Sequence, residues 1–494
     1  VLNKGTFKIT MNKNIVLVVM DTARAPDTKY VYNKVSNSSI ERLVEEGTEF
    51  TNAFTNAPWT LPSHASLFTG TYTSKHGTHA GHKFLDDSFP TLAELLSAEG
   101  YQTAGVTNNA WVTNEFGLAN GFNDFFKAWQ YIQAETDFGE IKLTTHGVDL
   151  VKRSVKGLLN GEIIANLMNT VYGQFIYRRK DYGAKRTNSI VRSWIEDRDS
   201  NKPFFLFINY LEPHLDYQPP KEFAEPFLPS DATYKEAMKV PQKPWDYVSG
   251  ALEMSDRDFE LLRSLYRAEI AYLDAQIGDL RQVLYEKKEW QDTIFIIVGD
   301  HGENIGEHDL MDHQYSLHDT LLHVPLFFSG GAFDGVGKSD RLVQTVDLFP
   351  TILDIAGVDI PSHSQGLSFH PSSTDPPRER IFAEYRCPQP TIERLSKETD
   401  IPLEDLQQYD KKLRSVQTDE YKIVRDSNGK LEFYNLKDRE TKIEDWSSEE
   451  QEVVEGLETD LKKWLSSFEQ ASLKDSTEMD NETKKMLEDL GYLQ

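Results

Sequence analysis

Three unbroken apolar runs of strand length constrain this chain most: Ile15–Met20 (IVLVVM), Phe204–Asn209 (FFLFIN) and Thr293–Val298 (TIFIIV). A strand that is apolar on both faces must be covered on both, which is the situation of a parallel sheet between layers of helices. Helical patterns over Thr91–Glu99, Asn188–Glu196 and Asp258–Glu286 separate the runs and supply those layers. The alternation predicts a doubly wound α/β sheet. Each run also hands the chain to polar residues at its end: Asp21, then Leu211-Glu212-Pro213-His214, then Gly299-Asp300-His301-Gly302. Open α/β sheets place their sites at the carboxyl ends of the strands.

The chain is long enough, at 494 residues, for two or three domains. Residues 12–372 read as the catalytic domain, with 130–200 as a basic helical insertion or lid (Lys152, Arg153, Lys156, Arg178-Arg179-Lys180). A stretch rich in Pro and Ser at 360–380 reads as a linker. A smaller α+β domain follows over 378–494, with alternating runs at Leu413–Val424 and Lys430–Leu436 around a hairpin turn, and an acidic helix at the end. The single cysteine, Cys387, excludes an intrachain disulfide and a cysteine-built metal cage. No apolar stretch is long enough to span a membrane and no secretory signal pattern is seen, so a cytoplasmic protein is expected. The net charge of −26 disfavours duplex nucleic acid as a partner. It also requires that a site for an anionic substrate bring its own positive charge, most economically as a metal ion.

The histidines point to that ion. Of 13, four fall in 64–82 and five in 301–323, both directly attached to the strand exits. The segment Trp59-Thr60-Leu61-Pro62-Ser63-His64-Ala65-Ser66-Leu67-Phe68-Thr69-Gly70 puts a hydroxyl before a proline turn and a short apolar helix ending in glycine. Thr60 at such a helix start either caps it or meets an anion there.

That segment resembles the signature of the sulfatase family within the alkaline phosphatase superfamily, in which Cys or Ser precedes x-Pro-Ser-Arg and a small-apolar stretch to Gly. Other matches follow in order: Val19-Met20-Asp21-Thr22, Ser74-Lys75-His76-Gly77, Tyr210–Pro220, Gly299–His308, Leu322-His323-Val324-Pro325-Leu326, Val346-Asp347-Leu348-Phe349-Pro350-Thr351, and strands around Arg414–Asp419 and Phe433–Leu436. The resemblance covers most of 14–440. It implies an alkaline-phosphatase-like sandwich: a large, mostly parallel central sheet with helices on both faces, and a small C-terminal antiparallel sheet. It also implies metal ligands Asp21, Thr60, Asp300 and His301. His214 and His313 resemble residues that contact the transferred anion or protonate the leaving oxygen. Asn109 and His64 resemble substrate contacts, His64 in place of the family's arginine.

The departures matter as much. Threonine stands where the family carries the Cys or Ser that becomes formylglycine, and a threonine side chain cannot be converted to that aldehyde. Thr22 replaces the second Asp of the usual pair, and no Lys-containing segment is evident at Val106–Asn109. Threonine is the nucleophile in related phosphodiesterases and phosphoglycerol transferases. The expected activity is therefore cleavage of phosphate mono- or diesters through a Thr60 ester, by hydrolysis or transfer to another alcohol. A sulfatase using Thr60 directly is the alternative, and a catalytically silent anion-binding protein the third reading. Two carboxylates, an imidazole and a hydroxyl favour one Mn²⁺ or Zn²⁺, ahead of Ca²⁺ or Mg²⁺. The sequence names neither the alcohol of the substrate nor an oligomeric state.

Overall fold

The computed structural model describes residues 13–130, 183–438 and 440–471. The basic region at Lys152–Lys180 lies outside the described residues. Strands β1 (Asn14–Met20), β2 (Thr48–Phe54), β3 (Gln102–Thr107), β4 (Asp124–Lys127), β5 (Phe204–Tyr210) and β6 (Thr293–Gly299) come first in the chain. A two-residue hairpin pair, β7 (Asn304–Ile305) and β8 (Met311–Asp312), precedes β9 (Leu326–Ser329) and β10 (Gly337–Gln344). The large sheet has eight strands in the order β10-β2-β9-β6-β1-β5-β3-β4. The three apolar runs lie side by side at its centre, and every residue of β1, β5 and β6 is buried.

One strand departs from the parallel expectation. β9 runs antiparallel to both of its neighbours, β6 and β2. Between Asp300 and Pro325 the chain forms only a small hairpin and short helical turns, and Leu326 then pairs with Val298 beside the end of β6. A parallel return would need a crossover of a dozen or more residues to the far end of the sheet. The chain instead spends those residues at the carboxyl end, so the next strand must run back. The sheet is accordingly large and mostly parallel, with one reversed strand.

The helices pack in two groups, as covering both faces requires. The long helix Asp256–Glu286 lies against Ala25–Lys34, Ser39–Glu46 and Ala184–Asp197, while Thr60–Thr69 lies against Leu92–Ala98 and Leu348–Ala356. Two starts are set by capping boxes, in which Ser255 and Thr91 bond back to Asp258 and Glu94. Among the described residues no helix is long and apolar enough to cross a membrane.

The small sheet is antiparallel: β11 (Ile381–Tyr385), β12 (Leu413–Gln417), β13 (Tyr421–Asp426), β14 (Leu431–Asn435) and β15 (Thr441–Lys442), paired in that order. The run expected to continue from Leu413 to Val424 breaks at Thr418, whose Oγ1 accepts the amides of Glu420 and Tyr421 and so offers the backbone a turn. Ile381, Ala383 and Tyr385 join the core of the large sheet. Helix Ser448–Ser466 covers the other side, with Trp464 stacked on Phe382 at 4.6 Å.

Candidate active site

Four adjacent strand ends build the site. Register pairs Met20 with Gly299, Val19 with Asn209, and Asn209 with Thr107, so the chain leaves β6, β1, β5 and β3 at one level. Asp21, Asp300 and His301 follow β1 and β6 directly. All three are fully buried, and donor atoms from each lie within 4.8 Å of one another.

Their hydrogen bonds leave selected atoms without partners. Asp300 Oδ1 accepts the amides of Thr22 (3.1 Å) and His301 (2.9 Å), while Oδ2 has no hydrogen-bond partner. Asp21 Oδ2 accepts from Asn109 Nδ2 at 2.6 Å, while Oδ1 is likewise left over. His301 Nδ1 donates to the Gly302 carbonyl at 2.9 Å, a bond that fixes the tautomer and leaves a lone pair on Nε2. That Nε2 lies 3.4 Å from Asp300 Oδ2 and 3.9 Å from Asp21 Oδ1. Burial and then the neighbouring Asp21 push the Asp300 carboxyl well above the usual range. Burial and then His313 keep the His301 imidazole neutral. Two buried carboxylates with orphaned oxygens, aimed at an imidazole lone pair, fit a divalent cation by charge and by donor chemistry.

Thr60 faces the same point. It is the first residue of helix Thr60–Thr69, and the capping position belongs to Trp59, whose side chain makes no capping bond. The threonine hydroxyl is thus released from a capping role: Oγ1 lies 3.3 Å from His301 Nε2 and accepts from Asn109 Nδ2 at 3.3 Å. Pro62 sits in the first turn, where its missing N–H is no loss. Ser63 Oγ donates to the Asp300 carbonyl at 2.7 Å and ties the helix to the β6 exit. Gly70 closes the helix in the left-handed region (φ +66), where a Cβ would also meet the Phe349 ring at 2.5 Å.

His64, expected as a substrate contact, lies against Thr60 and Asp300. It is fully buried, its Nδ1 donates to the Thr60 carbonyl at 2.9 Å, and its ring stands edge-on to Phe207 and Phe68. Burial lowers its pKa against the pull of that bond. Four residues along a helix, a side chain lies one turn over its partner rather than beside it. His64 Nδ1 also lies 3.6 Å from Asp300 Oδ2, and its Nε2 has no hydrogen-bond partner. Asn109 does reach the centre, joining Asp21 to Thr60.

His313 and His214 line the other side. Ring centroids lie 4.6 Å apart for His301 and His313, and 5.3 Å apart for His313 and His214. His313 Nδ1 faces Glu303 Oε1 at 3.2 Å and also contacts the Asp312 carboxylate. Burial alone would strip the proton from His313, but the two carboxylates outweigh it and raise its pKa well above the ordinary value. His214 bonds its Nδ1 to the Leu215 carbonyl.

Sequence reasoning missed Asn209, whose Nδ2 is 3.5 Å from Asp21 Oδ2, and Asp312, the close partner of His313. Asn209 ends an apolar run beside β1, which was a usable signal; Asp312 adjoins His313 but lay in a loop without periodicity. Glu307 is bound by Arg24 and Arg263. His323 is a packing residue, stacked on Phe54 with Nε2 on the Thr51 carbonyl. Thr22, in the position of the missing second Asp, takes a left-handed backbone (φ 60), unfavourable for a β-branched residue. Its amide bond to Asp300 and the Tyr266 hydroxyl on its carbonyl (2.7 Å) hold it there.

Comparison with known proteins bears on the family and the fold. The family model described as Sulfatase matches residues 13–358. Arylsulfatase K of Rattus norvegicus is 26% identical over 390 residues, covering 74% of this chain and 64% of that one; the chain therefore spans a little under two thirds of that relative. Among solved structures, a phosphonate monoester hydrolase of Agrobacterium radiobacter superposes with a TM-score of 0.66 at 20% identity, covering 92% and 95% of the two chains. A protein solved with its substrate D-glucosamine-2-N,6-O-disulfate also gives 0.66, at 18% identity and 92% and 99% coverage.

Proposed function

Because the chain belongs to the sulfatase family, matched over residues 13–358, we propose that it is a metal-dependent ester hydrolase whose Thr60 attacks phosphate mono- or diesters. The observation that carries this reading is the threonine hydroxyl itself, buried, free of a capping role, and 3.3 Å from both His301 Nε2 and Asn109 Nδ2. A superfamily neighbour that hydrolyses phosphonate monoesters supports phosphorus as the centre attacked.

Asp21, Asp300 and His301, with Thr60, would hold one divalent ion, Mn²⁺ or Zn²⁺ by donor type. When bound, the ion makes the Thr60 hydroxyl acidic and offsets the charge of the ester oxygens. The chain's own groups do the rest. The partial positive end of helix Thr60–Thr69 faces the incoming anion. Asn109 Nδ2 holds Thr60 Oγ1 in place. Thr60 Oγ1, having released its proton to solvent, forms a bond to phosphorus as the bond to the leaving oxygen breaks, and the His313 imidazolium gives its proton to that oxygen. Asp312 and Glu303 keep His313 protonated for this step. Water then attacks the phosphothreonine and returns a proton to the histidine pair His313 and His214, while the bond from phosphorus to Thr60 Oγ1 breaks to restore the ionised threonine and release phosphate, or a phosphate monoester where the substrate is a diester; an alcohol in place of water makes the same step a transfer.

The substrate class is tested with matched 4-nitrophenyl esters and unmodified protein. The phosphate ester is expected to exceed the sulfate in kcat/KM by at least about tenfold, since a sulfated threonine lacks the hydrate hydroxyl that expels sulfate from formylglycine. A clear sulfate preference would overturn the phosphate reading and favour direct sulfatase chemistry.

His313→Ala separates the two roles open to that residue. As an acid it is expected to be worth about 10²–10⁴ in kcat with a poor alkyl leaving group, and little with 4-nitrophenolate, which leaves unprotonated. Equal losses on both substrates would instead make His313 an anion contact.

A further inference from the structure

A second donor group, unused by the chemistry above, sits where the site loop meets the small sheet. His308, His318 and Glu440 place two imidazole nitrogens and a carboxylate oxygen within 4.8 Å of one another. They come from three separate segments: the turn Glu307–Asp309 after β7, the residue before helix Asp319–Leu322, and the turn before β15. The two imidazole rings lie parallel, 3.5 Å apart and 6° from coplanar directions. His318 Nδ1 faces Glu440 Oε1 at 3.3 Å without the alignment of a hydrogen bond. His308 and Glu440 both have left-handed backbones (φ 57 and 54), a conformation that costs non-glycine residues energy and that tends to persist at functional positions.

The charges around the group do not close. Lys422 is fully buried, with Nζ 2.9 Å from Asp319 Oδ1 and 2.7 Å from Glu440 Oε1; Glu440 Oε2 accepts the Asp319 amide at 2.8 Å. Two carboxylates face one ammonium, an excess of one acid over the fixed base unless an imidazole or Asp319 takes a proton. Imidazoles stacked at van der Waals distance repel if both take protons. A divalent cation meets the surplus charge and both ring lone pairs together.

We propose that His308, His318 and Glu440 bind a borderline divalent transition-metal ion, zinc foremost, that clamps the site loop to the small sheet. Two nitrogens and one carboxylate oxygen suit zinc better than Mg²⁺ or Ca²⁺, which take oxygen ligands. A tetrahedral zinc with bonds near 2.1 Å holds its ligand atoms about 3.4 Å apart, so binding one ion requires the two stacked rings to tilt out of parallel and aim their lone pairs at a common point. His308 is exposed, so solvent can complete the coordination. The proposal does not depend on the activity proposed above.

The test is zinc stoichiometry and thermal unfolding of the full chain after zinc loading and dialysis. Wild type is expected to hold two zinc ions, and His308→Ala and His318→Ala one each. Both variants should keep turnover within about twofold and lose a zinc-dependent rise in Tm on the order of a few degrees. Asp300→Asn, which disables only the site at Thr60, should hold one zinc and keep that rise. Unchanged stoichiometry and an unchanged rise in both histidine variants would overturn the proposal. A single zinc that His308→Ala removes would support it while counting against the ion at Asp300.

Discussion

Thr60→Ala is expected to lower kcat by three orders of magnitude or more while leaving the fold in place. Each factor of ten is about 1.4 kcal/mol of transition-state stabilisation, and the substitution removes the attacking oxygen and one donor to the ion together. The structure makes the experiment decisive because Thr60 holds no capping bond whose loss would confuse the outcome: the capping position is Trp59. A helix-cap threonine would cost about 1 kcal/mol of stability and leave turnover nearly intact. Thr60→Ser should retain measurable activity, since the hydroxyl survives and only the rotamer restriction of the β-branched side chain is lost. Quenched turnover should leave a phosphoryl group on the peptide containing Thr60. Normal turnover by folded Thr60→Ala would end the covalent mechanism.

The centre of this fold was legible because its information is local. β1, β5 and β6 each read as buried strands from composition alone, and their exits named Asp21, Asp300 and His301. Thr60 was legible as a position but not in its orientation, because cap and first helical residue differ by one place and helix starts are not fixed to that precision by propensity. β9 was not legible as reversed: its direction follows from a connection that stays at one end of the sheet, which no property of Leu326–Ser329 encodes. Nor could spacing show that His64, four residues after Thr60, would bond the Thr60 carbonyl. The group His308, His318 and Glu440 was out of reach for the same reason, since Glu440 comes from a segment more than a hundred residues away and joins only through the docking of the small sheet.

Asp300→Asn should separate stability from function in opposite directions. In the chelated protein the Asp300 and Asp21 carboxyls are buried beside each other, and burial followed by that neighbour raises the Asp300 pKa well above the ordinary range. The amide keeps the acceptor Oδ1 that serves the Thr22 and His301 amides and removes the charge that burial penalises. The metal-free variant should therefore be as stable as metal-free wild type or more stable, by about 1–3 kcal/mol in urea unfolding. With the ion present the order reverses. Wild type gains the binding free energy of the ion, about 2.7 kcal/mol when free metal is a hundredfold above Kd, and the variant gains little at this site because a neutral amide replaces a charged ligand. Activity should fall at least about a thousandfold, since the charge that makes the Thr60 hydroxyl acidic is lost. Elemental analysis with the His308→Ala background removes any contribution from the second proposed ion. If the combined Asp300→Asn, Asp21→Asn protein in that background still carries one metal ion per chain, these two aspartates do not hold it, and the assignment of the site fails.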